Sequence, residues 1–99
     1  MMASMYVQVI VSYDIADTKA RHKLFNELKD LGLMPIQKSV FWGYLLPSEK
    51  GIIPILFDKY CQIETDRAFM VNAVLDQCLE YAFGYDEEDF KHPESFVVL

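Results

Sequence analysis

The sequence predicts an α+β fold of the ferredoxin-like type, β-α-β-β-α-β, with an antiparallel sheet, two helices on one face, and an additional C-terminal strand and tail. Three observations support it: β-rich runs of strand length, amphipathic stretches between them, and a length of 99 residues, which suits one domain. We place the domain at residues 1–84 and a C-terminal extension at 85–99. No element is left to cover the second sheet face, so we expect a partner chain there.

The first strand and helix have the clearest signals. Met5 to Tyr13 is a nearly continuous run of β-branched and aromatic residues, which is typical of a central strand that Asp14 ends. Thr18 to Leu31 carries leucines along one helical stripe, and Asp17 before it is a suitable N-cap. Gly32 favours the end of this helix.

The middle of the chain predicts two more strands and a second helix. We expect strands at residues 33–37 and 39–46, and a loop at 47–51. Pro54 is tolerated only near a helix start, so the second helix should begin there and run to about Ile63. The fourth strand should run from Arg67 to about Ala73.

The C-terminal part is harder to place. Glu80 to Gly84 predicts another short strand, and the acidic run Asp86–Asp89 predicts a solvated connector. The final residues, Phe96 to Leu99, are apolar and β-prone. This tail should either add a strand within a dimer or bind a partner protein.

Charge is distributed unevenly along the chain, whose net charge is −6. Residues 1–50 contain six basic and five acidic side chains, whereas residues 51–99 contain three basic and ten acidic ones. This balance argues against a general nucleic-acid-binding protein. A phosphate-binding surface is expected only in the first half, or where an oligomer joins two first halves.

Some other classes of protein are excluded by the cysteines, the histidines and the N-terminal sequence. Cys61 and Cys78 form no CxxC motif and are interpreted as reduced thiols rather than a disulfide. His22 and His92 are far apart and complete no zinc set. The N-terminus shows no targeting segment, and Val9–Val11 is too short to cross a bilayer. We therefore expect a cytoplasmic protein.

Two local patterns give the fold a more specific interpretation. The first is Tyr13-Asp14-Ile15 followed by Asp17, Lys19 and Arg21, and the second is Gln37-Lys38-Ser39-Val40-Phe41-Trp42-Gly43. At this spacing the two patterns resemble the signature of the CRISPR-associated Cas2 (Cas-two) family. The resemblance covers residues 5 to about 46 and continues loosely through the fourth strand at residues 69–71. It departs at Pro54, in the acidic net charge, and in the extension from about Tyr85.

The resemblance implies a fold, partners and an activity. It implies a homodimer formed by apposed sheets, and an endonuclease that uses Mg²⁺ to cleave RNA or double-stranded DNA. It also implies a role in spacer acquisition, in which the dimer bridges the Cas1 (Cas-one) integrase on DNA. The catalytic aspartate and magnesium ligand of the family would correspond to Asp14.

Each candidate residue also has a purely structural interpretation. Asp14 alone cannot hold Mg²⁺, which usually takes one or two carboxylates plus waters, so a dimer axis would have to supply a second carboxylate. As an isolated aspartate after a strand, it would be a turn residue. Lys19, Arg21 and Lys38 are candidates for nucleic-acid binding or for plain surface positions, and Arg21 could simply neutralise Asp14. Ser39 would orient a water near the metal or serve the strand alone.

Three functions remain open at the level of sequence. The first is a structural subunit of the spacer-integration complex, and the second is a metal-dependent endonuclease acting alone. The third is an unrelated ferredoxin-like regulatory or interaction module, for which the two patterns would be coincidental.

Overall fold

The architecture is a four-stranded antiparallel sheet in the order β2-β3-β1-β4, seen in a computed structural model that describes residues 6–75 and 79–90. The strands are β1 (Val7–Asp14), β2 (Met34–Gln37), β3 (Val40–Leu45) and β4 (Arg67–Asn72). The helices are α1 (Thr18–Asp30), α2 (Pro47–Lys50) and α3 (Ile52–Tyr60). This order confirms the predicted ferredoxin-like fold, and the four strands lie close to their predicted positions.

Strand β1 is central because it pairs with both β3 and β4. Its alternate residues Val9, Val11 and Tyr13 are buried on the side that α1 and α3 cover. Side chains alternate between the two faces of a strand, so the residues between them point to the other face. The buried cluster that holds the helices on the sheet also includes Leu24, Leu28, Phe41, Leu45, Ile53 and Leu56.

Helix α1 begins and ends as the sequence predicts. The Asp17 carboxylate accepts a hydrogen bond from the Ala20 amide at 2.8 Å, which confirms Asp17 as the N-cap. Leu31 closes the last turn, and Gly32 follows with φ +96°. Glycine adopts that left-handed conformation without steric cost, so the chain turns directly into β2.

The region between β3 and β4 corrects two predictions. Residues 47–51, expected as a loop, include the short helix α2, because Pro47 suits a first helical position and Glu49 caps the Leu46 amide at 2.8 Å. Pro54 is the third residue of α3, where its missing N–H leaves no helical bond unmade. The helix ends at Tyr60 rather than Ile63, since Cys61 is already extended with ψ 145°.

The strand expected at residues 80–84 is wrong. Leu79–Tyr81 forms a turn of 3-10 helix, and Gly84 has φ +88°, which is incompatible with a continuing strand. A second 3-10 turn at Glu87–Phe90 places Phe90 against the Trp42 ring, with 5.4 Å between ring centroids. The apolar tail at residues 96–99 lies outside the described residues, and the domain boundary at residue 85 stays a prediction.

Candidate functional site at the open sheet face

The sheet face opposite α1 and α3, which we call the open face, is covered in part by the 3-10 turn at Glu87–Phe90, which packs on Trp42. The expectation that no element of the chain covers this face is therefore wrong at that position. Residues that alternate with the buried ones point to the open face, and several are large and apolar. Phe69 is 54% exposed, Val71 is 47% exposed and Met34 is 43% exposed. Trp42 also points this way, but Phe90 packs on its ring and leaves it only 1% exposed. The open face therefore presents apolar side chains to solvent in the single chain.

Asp14 lies at the end of β1 on this open face. It is exposed, and it follows Tyr13, which points to the opposite, helix-covered side. In the register of β1 with β4, Asp14 lies directly opposite Arg67. The Arg67 Nη1 donates to the Asp66 carbonyl at 3.0 Å, and no ion pair to Asp14 forms within residues 6–75 and 79–90.

The donor set around Asp14 fits a metal only in part. The described residues contain no group of three or more His, Cys, Asp or Glu side chains able to hold a metal ion. A carboxylate oxygen is nevertheless a ligand that Mg²⁺ accepts, and the ion commonly keeps several waters. Asp14 can therefore serve as one ligand, and waters or a carboxylate of a second chain would complete the set. Its assignment as catalytic and metal-binding residue stays a prediction.

Arg21 does not reach the Asp14 carboxylate. Its Nη1 donates to the Ile15 carbonyl at 2.8 Å, and its Nη2 donates to the Thr18 hydroxyl at 3.2 Å. The guanidinium lines a cleft of about 290 Å³ together with Lys38 and Ser39. The structure thus brings three of the predicted site residues together on the side of β1 to which Tyr13 points, whereas Asp14 points to the open face. Lys19 is exposed on α1 but does not line this cleft.

Ser39 is held at the turn between β2 and β3. It has φ +67°, an uncommon value for a residue with a side chain, and its hydroxyl hydrogen-bonds the Tyr13 side chain. Burial raises the pKa of the Tyr13 hydroxyl, and the Ser39 hydrogen bond and the Arg21 charge oppose that rise. The Ser39 side chain thus lies on the cleft side of β1, and its water-orienting role at Asp14 stays a prediction.

Asp66 is a structural residue of the site that the sequence did not reveal. It is buried, and its carboxylate accepts hydrogen bonds from the amides of Ala16 at 3.0 Å and Gln62 at 2.8 Å, and from the Thr65 hydroxyl at 2.9 Å. The hydrogen bonds from the two backbone amides lower the pKa of Asp66 below its usual range. Asp66 thereby fixes the loop that follows Asp14. Its partner Ala16 is 50 residues away in sequence, so no local pattern could have identified the pair.

Two basic residues of the region were also missed. The sequence alone identifies Arg67 only as the start of a strand, whereas the β1–β4 register places it opposite Asp14. His22 completes no zinc set in the sequence, yet it lines the same cleft as Arg21. Within the described residues, no helix is long and apolar enough to cross a membrane.

The chain is similar to known sequences of one family. The sequence profile of the family described as CRISPR associated protein Cas2 matches residues 5–71. A Francisella tularensis subsp. novicida protein named CRISPR-associated endoribonuclease Cas2 1 is 40% identical over 85 residues, which is 85% of this chain and 87% of that protein. A Korarchaeum cryptofilum protein named CRISPR-associated endoribonuclease Cas2 is 48% identical over 44 residues, covering 44% of this chain and 47% of the relative.

Solved structures show the same fold. The crystal structure of Streptococcus pyogenes Cas2 at pH 6.5 superimposes with a TM-score of 0.64 at 19% identity, covering 80% of this chain and 99% of that one. A hypothetical protein from Thermus thermophilus gives a TM-score of 0.63 at 28% identity, covering 70% of this chain and 83% of the other. Both support the ferredoxin-like architecture.

Proposed function

Because this chain belongs to the CRISPR-associated Cas2 family, whose profile matches residues 5–71, we propose that it is a homodimeric, divalent-metal-dependent endoribonuclease. The observation that carries the proposal is the position of Asp14, exposed at the end of β1 on the open face and directly opposite Arg67. A carboxylate that can hold a metal and a cation that can hold a phosphate are thereby placed on the same surface.

The apolar character of the open face supports the proposed dimer. Phe69 and Val71 point out of β4 on that face and are about half exposed. Apposing the open faces of two copies would remove these side chains from water, which is the main source of favourable association energy. The same arrangement would bring the Asp14 of a second copy to the assembly, where it would supply a second carboxylate.

Asp14 would hold the metal in this proposal. When bound, a Mg²⁺ ion would supply a water activated for attack on a phosphodiester. The protein's own part is to fix the loop that begins at Asp14, which Asp66 does through the Ala16 amide, and to present Arg67 to the substrate phosphate. Arginine presents a forked set of donors that matches phosphate oxygens.

RNA is the substrate class we propose, since the relatives that match are named endoribonucleases. The test incubates the protein with labelled single-stranded RNA, single-stranded DNA and double-stranded DNA, with EDTA and then with added Mg²⁺. We expect RNA cleavage that EDTA abolishes and Mg²⁺ restores. Cleavage that persists in EDTA, or cleavage of double-stranded DNA alone, would contradict the proposal in this form.

A second candidate function is a structural subunit that bridges the Cas1 integrase on DNA. It is favoured by exposed apolar residues away from the open face, because Ile52 and Ile55 lie on a different side of α3 from the buried Ile53 and Leu56. A dimer formed through the open face would leave this surface available to another protein.

This second function is tested by co-purification with the integrase. Ile55 is 64% exposed, so Ile55→Glu should leave the fold intact and weaken binding of the integrase to the dimer. Lys59→Gln on the same helix would serve as a control, because it changes the net charge by the same one unit without removing apolar surface and loses only an exposed ion pair with Glu27. Equal retention of the integrase by Ile55→Glu and the parent protein would exclude this surface.

A further inference from the structure

We propose that the cleft between α1 and the β2–β3 turn is a binding site for one nucleotide phosphate, with His22 as a third basic ligand beside Arg21 and Lys38. The inference deepens the proposed function and rests on it, because nucleic acid would provide the phosphate. The three basic residues come from two elements that only the fold brings together, α1 and the turn before β3. None of the described residues that line this cleft is acidic.

Arg21 is already held in place for such a ligand. Its two hydrogen bonds go to the Ile15 carbonyl and the Thr18 hydroxyl, which are uncharged groups. Its positive charge is therefore not neutralised, and three of its five N–H donors are left for a ligand. A guanidinium fixed before binding loses less side-chain freedom when a phosphate arrives.

The cleft also offers hydroxyl groups. Thr18, Ser39 and Tyr13 all line it. Ser39 and Tyr13 are hydrogen-bonded to each other, so one of their two hydroxyl protons and that of Thr18 are left to donate to a phosphate oxygen. The raised pKa of Tyr13 keeps that hydroxyl protonated at neutral pH. Phe25 adds an apolar wall, against which a sugar or base could pack. Basic, hydroxyl and aromatic groups together match a nucleotide better than a bare anion.

The size of the cleft limits the ligand. Its volume of about 290 Å³ is at the lower end of the range of roughly 300–1,000 Å³ that is typical of small-molecule sites, so it suits a single nucleotide unit. A larger cleft of about 630 Å³ beside α3 is less suitable for phosphate, because the carboxylates of Asp58 and Asp66 line it together with Arg67.

The cleft is separate from the candidate metal site. Tyr13 and Asp14 are consecutive residues of β1 and point to opposite faces of the sheet, the first into the cleft and the second onto the open face. A phosphate in the cleft would thus hold the nucleic-acid strand on one side of the sheet, while Asp14 points to the other side. Arg21, His22 and Lys38 act in this account as binding residues, not catalytic ones.

The test uses NMR of the metal-free Asp14→Asn variant, so that it measures nucleotide binding and does not depend on RNA cleavage. Adenosine 5′-monophosphate should shift the His22 ring signals and the amide signals of Lys38 and Ser39, and adenosine without phosphate should not. His22→Ala or Lys38→Gln should each weaken this binding about fivefold, the effect of one lost hydrogen bond. Lys23→Gln, which removes a charge on α1 outside the cleft, should not. Equal shifts with adenosine, or no shifts in the cleft at millimolar nucleotide, would overturn the inference.

Two RNA ligands distinguish the source of the phosphate. Tighter binding of 5′-phosphorylated RNA than of 5′-hydroxyl RNA, lost in His22→Ala, would identify a strand terminus. Equal binding of both RNAs, weakened equally by His22→Ala, would identify an internal phosphodiester. RNA binding that is unchanged in both His22→Ala and Lys38→Gln would overturn the inference. Nucleotide binding in the cleft without any RNA cleavage would contradict only the nuclease proposal, and cleavage without cleft binding would contradict only this one.

Discussion

Asp14 and Arg67 lie directly opposite each other on adjacent strands, yet the Arg67 guanidinium donates to the Asp66 carbonyl and forms no ion pair with Asp14. Opposite residues on neighbouring antiparallel strands share one face and have Cβ atoms roughly 4.5–5.5 Å apart. The Asp14 carboxylate is thus not paired with Arg67, although the register starts both side chains from the same face of the sheet. This register provides the basis for the first prediction.

Replacing Arg67 should weaken RNA binding without unfolding the protein. Arg67→Gln removes the charge, and we expect the slope of log affinity against log salt to shrink by roughly 0.7 per protomer for single-stranded RNA. Fluorescence anisotropy over a salt series measures this slope. Lys23→Gln removes an exposed charge from α1 and serves as the control. A salt slope equal to that of the parent protein would assign Arg67 a structural role only.

The open face should be the dimer interface. Val71→Asp places a charge where the proposal requires an apolar contact, and an unpaired buried charge costs about 3 kcal/mol or more, which is over a hundredfold in dissociation constant. Sedimentation velocity at micromolar concentration should show a folded monomer for this variant and a dimer for the parent. Ile55→Asp on α3 is the control and should remain dimeric. A monomeric parent protein, or a dimeric Val71→Asp, would contradict the interface.

Gly43 should be required for packing rather than for chemistry. A Cβ atom added there would lie 2.9 Å from Leu33 Cδ2 and 3.3 Å from Leu33 Cα. Since part of the obstruction is backbone, Gly43→Ala should destabilise the protein by about 1–3 kcal/mol. Gly51→Ala is the control, because Gly51 is in a helical conformation with ordinary contacts, and it should stabilise by about 0.4–1 kcal/mol. Urea denaturation measures the free energy of unfolding of both variants. Equal stabilities of Gly43→Ala and the parent protein would contradict this explanation of Gly43.

The sequence predicted the elements whose signals are local. The apolar run of β1 and the N-cap Asp17 were sufficient to place the first strand and helix correctly. The predicted strand at 80–84 failed because its aromatic composition said nothing about the φ of +88° at Gly84. Arg21 lies on the flank of α1 as predicted, but its guanidinium binds the Ile15 carbonyl, a backbone group that no residue pattern distinguishes from the nearby carboxylate.

Acid should weaken the contact that Asp66 makes with the loop after β1. Its pKa is lowered in the folded protein, so its stabilisation is complete above the unfolded-chain value of about 3.9 and is lost as the pH falls through the lower folded value. Asp66→Asn should lower the melting temperature at pH 7, because an amide N–H₂ would face the Ala16 or Gln62 amide. The difference in melting temperature between Asp66→Asn and the parent protein should narrow as the pH falls below about 4.

Thermal melts at several pH values test this prediction. Asp58→Asn changes a neighbouring exposed carboxylate and should have little effect at any pH. If Asp66→Asn had the same melting temperature as the parent protein at pH 7, this carboxylate would not hold the loop.

The most direct measurement is the RNA cleavage rate of Asp14→Asn compared with Asp17→Asn in the same Mg²⁺ buffer. Both variants remove one carboxylate from the same segment, but asparagine is a good N-cap, so Asp17→Asn should fold and cleave like the parent protein. Asp14→Asn should fold equally well and lose at least about 100-fold in rate. Loss of an outer-shell partner of a metal costs up to about 100-fold, and loss of a direct ligand should cost no less. Cleavage by Asp14→Asn at the parental rate would contradict the assignment of Asp14, and with it the proposed nuclease site.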